Sequence, residues 1–442
     1  MLRAISCALF AFTLIGNSEP VGATETPDID ITYEKFTLDN GLTVVVHEDR
    51  KAPIVAVSIW YHVGSKNEPE GKTGFAHLFE HLMFAGSENV PSFDKEIEGA
   101  GGQNNAFTNN EFTNYYILVP AENTETAFWL ESDRMRGLNI NADSLRVQQG
   151  VVVEEFKQRC FNAPFGQLWH HVRSLLYAPE SSYSWPTIGL NFEQIETASL
   201  DDVRAFYDRF YQPSNAILSL AGALDETEAR RLSEKWFGDI QNTQTLGPRK
   251  YNTTTAPIQA PQEQHDLSPD MAVFLVWPTT SHADPASNAL DLFAEMLGGS
   301  DASPLHETLV KQEGIMSAAE CFCLKGIGEG FFVLYGILAE GVSHQAGKEA
   351  LLRVLDETTV SAEYDDLASV KNRLLTQLLY ERISPAQQAQ KIAYYAALGK
   401  PEWFDQEAEM LEAVSLADCR SAAHQFLNTD NARLLFYSPH HA

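Results

Sequence analysis

Residues 199–222 read SLDDVRAFYDRFYQPSNAILSLAG, and residues 415–438 read SLADCRSAAHQFLNTDNARLLFYS. Aligned without gaps, the two segments pair Leu with Leu, Phe with Phe and an Asn-Ala dipeptide with Asn-Ala, at a separation of 216 positions. A second match lies earlier in each half, where HLFEHL (77–82) corresponds to DLFAEM (291–296) at a separation of 214 positions. Two matches at nearly one separation indicate that the chain contains two copies of one structural unit.

Strand and helix signals are mixed within each copy. Residues 35–47 predict a hairpin with a type I′ turn at 39–41, and residues 54–60 predict a further strand. Residues 122–137 place apolar side chains at helical spacing. This mixture favours an α+β fold of two homologous tandem domains, each a mostly antiparallel sheet packed with helices.

The first 23 residues have the features of a secretory signal peptide. Arg3 supplies a positive charge, and the apolar stretch over 4–16 is too short to cross a bilayer. Small residues at 21–23 resemble a cleavage site. No later stretch of the sequence is long and apolar enough for a membrane span, so we expect a mature chain in the periplasm or outside the cell.

The length of 442 residues exceeds what one ordinary core contains, so two domains are expected. A polar stretch over 242–264, rich in Thr, Gln and Pro, predicts a linker between a first domain at 24–241 and a second at 265–442. The formal net charge of −29 argues against nucleic acid and anionic membrane surfaces as partners. Four cysteines after position 23 are too few for a disulfide scaffold, and buried free thiols are expected, although an oxidising compartment also permits a disulfide.

The segment HLFEH (77–81) has the spacing of a metal site. On a helix, His77 and His81 lie four residues apart and project from one face, as two ligands of a tetrahedral zinc ion require. Glu80 lies beside them and can act as a general base on a metal-bound water. The pattern is the inverted form of the zincin motif.

The second copy supports a metal role for the first. Its corresponding residues are Asp291, Ala294 and Glu295, whereas the apolar positions between them stay apolar. A third ligand is expected in the segment 151–166, where Glu154 and Glu155 are both available. Neighbours on a helix lie about 100° apart, so only one can face the metal, and the spacing does not choose between them.

Four motifs together resemble the pitrilysin/insulinase family of peptidases, in particular its short two-domain branch similar to mitochondrial processing peptidase beta-subunits. The motifs are GFAHLFEHLMFAGS (74–87), GGQNNAFTNNEFTNYY (101–116), VVVEEFKQR (151–159) and FYQPSNAILSLAG (210–222). The resemblance implies Zn²⁺ bound by His77, His81 and Glu155. It implies a zinc-dependent endopeptidase acting on peptides or unfolded polypeptides, with Glu80 activating a zinc-bound water.

The resemblance also implies a substrate-binding edge strand near residues 103–108. There Gly102, Asn105 and Ala106 would contact an extended peptide that adds a strand to the sheet by β-augmentation. Backbone hydrogen bonds would then supply affinity without reading the peptide's sequence.

Two positions depart from the family pattern. Active members carry an Arg and a Tyr seven residues apart in the second half, but the matching stretch LVKQEGIMS (309–317) has Val310 and Ser317. The resemblance therefore implies the zinc-bearing subunit of a heterodimer, in which a homologous subunit supplies the Arg/Tyr pair. Gln148 stands where the family often has an acidic residue, although an amide can still hydrogen-bond a ligand.

Two other interpretations fit parts of the sequence. The chain could be a non-catalytic structural or peptide-binding subunit of the same family, although the complete His77, His81 and Glu80 set argues against this. S-ribosylhomocysteine lyases share a similar His-x-x-Glu-His helix, but they are short single-domain proteins, and the duplication argues against that class.

Overall fold

The computed structural model describes residues 32–247, 252–328 and 330–440, and the predicted signal peptide at 1–23 lies outside them. The strands are β1 (Glu34–Thr37), β2 (Thr43–Glu48), β3 (Ile54–Tyr61), β4 (Gln103–Thr108), β5 (Thr113–Pro120), β6 (Ala216–Gly222), β7 (Gln262–Asp266), β8 (Ala272–Pro278), β9 (Met316–Lys325), β10 (Gly330–Leu338) and β11 (Arg433–Pro439). The α-helices of the first half are α1 (Phe75–Leu82), α2 (Phe93–Gly99), α3 (Thr124–Arg136), α4 (Ala142–Cys160), α5 (Leu168–Leu176), α6 (Glu193–Glu196), α7 (Leu200–Phe210) and α8 (Glu226–Phe237). Those of the second half are α9 (Ala286–Gly298), α10 (His344–Ser361), α11 (Tyr364–Glu381), α12 (Pro385–Ala397), α13 (Trp403–Ala413) and α14 (Leu416–Phe426), with a π-helix at Leu305–Gln312.

Two sheets carry the fold. The first has the order β1-β2-β6-β3-β5-β4, and the second has the order β7-β11-β8-β10-β9. Each contains one parallel pair, β2 with β6 and β7 with β11, while all other neighbours are antiparallel. Five strands of the first sheet, β2-β6-β3-β5-β4, have the same order and relative directions as β7-β11-β8-β10-β9 of the second, as expected of a duplication. The predicted α+β architecture with two homologous domains is confirmed.

Equivalent helices in the two halves begin in the same way. At the start of α7, Ser199 Oγ accepts a hydrogen bond from Asp202 N, and the Asp202 carboxylate accepts one from Ser199 N. Ser415 and Asp418 form the same reciprocal pair at the start of α14. Such capping boxes satisfy backbone N–H groups that have no partner within the helix. The duplication therefore extends to the local signal that starts these helices.

The first hairpin forms where the sequence predicts it, but the prediction of a type I′ turn is wrong. Gly41 N donates to Leu38 O at 2.8 Å, and Leu38 N donates to Leu42 O at 2.9 Å. Type I′ needs positive φ at two successive residues, and in this turn only Gly41 has one, at 89°. Asn40 instead uses its side-chain amide to donate to Phe237 O at 2.7 Å, which fastens the hairpin to the end of α8.

The two domain boundaries stay a prediction, because the described chain from Thr32 onward forms one compact unit. Strand β7 begins at Gln262, inside the stretch 242–264 that the sequence suggests as a linker. All four cysteines in the described chain are free thiols, as expected, and three of them are buried. No helix in the described part of the chain is long and apolar enough to cross a membrane.

Each sheet is covered on one face by a helix from the other half. Helix α12 lies across β2, β3 and β6, where Ala389 packs against Ala56 and Ala221. Helix α5 lies against β8 and β11, and His171 Nδ1 is 2.9 Å from the hydroxyl oxygen of Tyr437. Helices on both faces bury the central strands completely, which explains why β6 has seven buried residues in succession instead of an alternating pattern.

A buried ion pair lies beneath helix α1. Arg134 Nε donates to Glu131 Oε2 at 2.7 Å, and the two side chains are 1% and 0% exposed. The guanidinium lies 4.3 Å from the centroid of the Tyr115 ring, and the Tyr115 hydroxyl donates to Phe79 O at 3.4 Å. Phe79 belongs to α1. The Arg134–Glu131 pair therefore contacts the helix that carries the His-x-x-Glu-His motif through the ring of Tyr115.

We expect Arg134→Met to lower the free energy of unfolding by about 3–5 kcal/mol, because it leaves the Glu131 carboxylate buried without its partner. Urea denaturation followed by circular dichroism measures this loss. Arg136→Met is the control, since Arg136 is 41% exposed and pairs with Asp239 at the surface. Its loss should stay below about 1 kcal/mol. Equal losses in the two variants would contradict the prediction.

Candidate metal centre

Contacts from the preceding loop fix the start of helix α1. Its first residue follows Gly74, which has φ 89° and offers no side-chain cap. Glu68 takes that role, since its Oε2 accepts from Gly74 N at 2.9 Å and its Oε1 accepts from Ala76 N at 2.8 Å. The φ angle of Gly74 lies in the left-handed region that favours glycine, and a Cβ there would also press on Ile195 Cδ1 at 2.8 Å.

Three donor atoms converge at the centre of this site. His77 Nε2 and His81 Nε2 lie 3.3 Å apart, and Glu155 Oε2 lies 3.5 Å from the first and 3.3 Å from the second. Bonds of about 2.0–2.1 Å to one tetrahedral ion would separate the donors by about 3.3–3.4 Å. The three residues therefore fit an ion of the size of Zn²⁺, and no other cluster of His, Cys, Asp or Glu with this spacing occurs among the described residues.

The structure separates the two neighbouring glutamates of helix α4. Glu155 points at the histidines, whereas Glu154 is exposed and pairs with Lys157 at 3.1 Å. The second oxygen of Glu155, Oε1, lies 2.5 Å from Arg159 Nη2, one turn further along the helix. Glu155 thus presents one oxygen to the two histidines while Arg159 holds the other.

The pKa values of His77 and Glu155 favour the forms that bind a metal ion. Burial lowers the pKa of His77 to about 4, so this imidazole is neutral at pH 7. For Glu155, burial acts to raise the pKa, but the hydrogen bond with His81 and the charges of His77 and Arg159 outweigh it and bring the pKa to about 2. A neutral imidazole and an ionised carboxylate are the states that ligate metals.

Glu80 lies beside the donor set without belonging to it. Burial raises the pKa of its carboxyl, while a hydrogen bond with the Thr108 side chain and the charge of His81 act to lower it. A carboxylate with a raised pKa is a better proton acceptor near neutral pH than an exposed one. Because Thr108 ends β4, the hydrogen bond connects Glu80 to the strand that the sequence predicts to bind peptides.

Strand β4 is the edge strand of the first sheet. Among the described strands it pairs only with β5, through register partners that include Asn105 with Tyr116 and Ala106 with Tyr115. Asn105 Oδ1 accepts from Ala106 N at 2.8 Å. Gly102 precedes the strand, where a Cβ would lie 2.7 Å from Val119 Cγ1. The predicted substrate-binding residues therefore lie on or next to an open edge.

The second half contains ion pairs where the first half contains the donor set. Helix α9 packs against α11 as α1 packs against α4. Asp291 pairs with Lys325, and Glu295 Oε2 lies 2.6 Å from Arg373 Nη2. Two acidic groups that replace the histidines are thus balanced by two basic side chains, which leaves this copy without a metal-ligand set.

The residues that depart from the family pattern donate nothing to the centre. Val310 lies in the π-helix and packs against the core of the second half, and Ser317 is exposed near the start of β9. Gln148 does not form a hydrogen bond with the Nδ1 atom of His77. That atom is buried and has no hydrogen-bond partner among the described residues.

Three residues around the donor set, Glu68, Thr108 and Arg159, are not among the site residues predicted from the sequence. Arg159 follows Glu155 by four residues, and this spacing on a predicted helix could have indicated the contact. Thr108 reaches Glu80 only through tertiary folding, and Glu68, which lies six residues before Gly74, has no motif spacing that identifies it as the cap.

Comparisons with known proteins find similarity in both halves of the chain. The family model described as Insulinase (Peptidase family M16) matches residues 43–162. The model described as Peptidase M16 inactive domain matches residues 197–374. The zinc protease PqqE of Helicobacter pylori is 32% identical over 65% of this chain and 66% of that protein, so the chain spans just under two thirds of it. The uncharacterized zinc protease YmxG of Bacillus subtilis is 24% identical over 91% of this chain and 97% of that protein.

A mitochondrial protein and solved structures are also similar to this chain. A probable mitochondrial-processing peptidase subunit beta of Arabidopsis thaliana is 26% identical over 59% of this chain and 50% of that protein. A protease structure from Helicobacter pylori has a TM-score of 0.86 at 24% identity, over 92% of this chain and 100% of that one. The periplasmic protease PqqL of Escherichia coli has a TM-score of 0.74 at 19% identity, over 93% of this chain and 48% of that one. Matches to both halves, together with the repeated sheet topology, show that this chain is a two-domain member of the M16 (pitrilysin/insulinase) family of peptidases.

Proposed function

We propose that this chain is a zinc-dependent endopeptidase that hydrolyses peptides or unfolded polypeptides. His77, His81 and Glu155 bind the ion, and Glu80 is the general base. The observation that carries the proposal is the spacing of 3.3–3.5 Å among the three donor atoms, because a tetrahedral ion needs this separation. The relatives named zinc proteases support both the metal and the activity.

The chemistry follows from the side chains around the donor set. Zn²⁺ held there would lower the pKa of a coordinated water and polarise a carbonyl group. Glu80 accepts the proton of the attacking water and returns it to the leaving amine. Strand β4 holds the peptide by backbone hydrogen bonds at the sheet edge, and Thr108, the last residue of this strand, hydrogen-bonds to Glu80.

The catalytic site needs a further donor for the tetrahedral oxyanion. Val310 has no donor, and Ser317 is a short side chain exposed at the start of β9. We therefore propose that a homologous subunit supplies an Arg/Tyr pair and that this chain is the zinc-bearing partner. The similarity to a protein named as a peptidase subunit supports this assignment. The similarity to a periplasmic protease, with the sequence features of residues 1–23, supports a periplasmic or secreted location.

The lack of the Arg/Tyr pair also favours a second candidate function, that of a subunit that binds peptides without cleaving them. In that case the open edge of β4 would bind an extended peptide, and His77, His81 and Glu155 would have only a structural role. This candidate would be supported if the wild-type chain binds peptides, hydrolyses none with any partner, and binds them no better than its Glu80→Gln variant.

Zinc binding tests the proposal directly. We expect one Zn²⁺ per purified chain. Loss of a residue that only supports a metal ligand weakens metal binding by roughly 10–100-fold, and we expect Glu155→Gln, which changes a ligand itself, to weaken zinc binding by more than this. Competition with a chromophoric chelator measures the dissociation constant. Glu154→Gln is the matched control, because Glu154 neighbours Glu155 but faces solvent. Wild-type chain without zinc affinity, or equal losses in both variants, would refute the assignment.

A further inference from the structure

Glu68 is a buried carboxylate outside the donor set, with N–H donors on both of its oxygens. It is 6% exposed and lies in the segment between β3 and α1. Its Oε1 accepts from Ala76 N at 2.8 Å, and its Oε2 accepts from Gly74 N at 2.9 Å and from Trp185 Nε1 at 2.8 Å. Both oxygens are therefore acceptors, which is the arrangement of an ionised carboxylate.

This carboxylate replaces the cap that helix α1 lacks. The first N–H groups of a helix have no partner within it, and Gly74 has no side chain with which to satisfy them. A negative charge at this end also interacts favourably with the helix dipole. Burial opposes the charge and raises the pKa of Glu68 to about 8, while the three N–H donors act to lower it.

The position of the cap matters for the metal centre. Ala76, whose N–H Glu68 holds, directly precedes His77, and helix α1 has only eight residues. Metal sites hold donor distances to within about 0.2 Å, so a small shift of the first turn moves His77 out of register with His81 and Glu155.

We propose that Glu68 is a positioning residue for the metal centre, which it serves by fixing the first turn of α1 through two backbone N–H groups and linking it to Trp185. The proposal rests on the proposed zinc function. Gln at this position has the same shape but only one acceptor oxygen, so either Gly74 N or Ala76 N faces an NH₂ group and loses its hydrogen bond. Substitution by Gln therefore changes the cap while the packing volume stays the same.

The test is zinc affinity of the full chain at pH 8.5, above the pKa of Glu68. We expect Glu68→Gln to raise the zinc dissociation constant by about 10–100-fold, as the loss of outer-shell support does elsewhere. The visible absorption of the Co²⁺-substituted chain should change as well, because it reports ligand geometry. Trp185→Phe removes one of the three donors and keeps both backbone bonds, so we expect a smaller rise.

Asp133→Asn is the control for loss of a buried carboxylate. Asp133 is 7% exposed and accepts from Ser87 Oγ and from Asn89 Nδ2 instead of from α1, so the zinc affinity of this variant should equal that of the wild type. Folded Glu68→Gln protein with wild-type affinity and Co²⁺ spectrum would overturn the proposal. If Glu68→Gln does not fold, Trp185→Phe decides alone, and wild-type affinity in that variant overturns it. A wild-type chain that binds no zinc would instead refute the proposed function.

Discussion

Substitution of Glu80 by Gln is expected to lower kcat for peptide hydrolysis by about 10²–10⁴-fold and to leave the zinc content unchanged. Glu80 is not one of the three converging donors, so its loss removes the proton acceptor without removing a ligand. Gln keeps the size of the side chain and can still meet the Thr108 hydroxyl, so the local packing should persist. Steady-state kinetics on an unstructured fluorogenic peptide, with metal analysis of the same sample, measures both quantities.

The same variant distinguishes peptide hydrolysis from peptide binding. Because peptide binding is assigned to the edge of β4, we expect Glu80→Gln to bind peptide with the affinity of the wild type. Glu154→Gln serves as the control for the loss of one carboxylate near the site and should retain full activity. An undiminished kcat in the Glu80 variant would place the general base elsewhere.

A homologous subunit that carries the Arg/Tyr pair is expected to raise the activity of this chain by about 10²–10³-fold, the usual value of an oxyanion donor. The physical reason is that Val310 and Ser317 give this chain no donor for the oxyanion at those positions. Peptide hydrolysis by the purified chain, alone and with increasing amounts of the homologous subunit, measures the gain. We expect it to saturate at one partner per chain.

Two comparisons identify the source of that activity. The mixture should be inactive when this chain carries Glu80→Gln, because the base belongs to this chain. Its activity should fall to that of this chain alone when the partner lacks its Arg and Tyr. Full activity of this chain by itself would refute the heterodimer and would require an oxyanion donor within the chain.

The fold was largely accessible from the sequence because the duplication is strong. The repeated segments at 199–222 and 415–438 became α7 with β6 and α14 with β11, in equivalent places of two sheets with the same order. The turn at 39–41 was less accessible. Its Asp-Asn-Gly sequence suits type I′, but the contact of Asn40 with the distant Phe237 accompanies a different turn. Local turn preferences differ by little energy, so one tertiary hydrogen bond can decide between them.

The candidate site was accessible in part for a similar reason. His77 and His81 are neighbours on one helix face, and helix geometry alone places their side chains together. Glu155 comes from another helix, and the sequence by itself could not prefer it over Glu154. The packing of α4 on α1 makes that choice, because it turns one glutamate toward the histidines and the other toward solvent.

The sequence by itself determined the two-copy architecture, the motif helix and the loss of the metal residues in the second copy, since each is written in spacing along the chain. Tertiary structure alone decided that α5 and α12 each cover the sheet of the other half, that Lys325 and Arg373 balance the acidic residues of the second copy, and that Glu68 caps α1. The helix–sheet contacts and the ion pairs join residues far apart in sequence, and the Glu68 cap joins residues six and eight positions apart through the folding of the intervening loop. Periodicity and motif spacing describe single elements and carry no information about which distant side chain meets their ends.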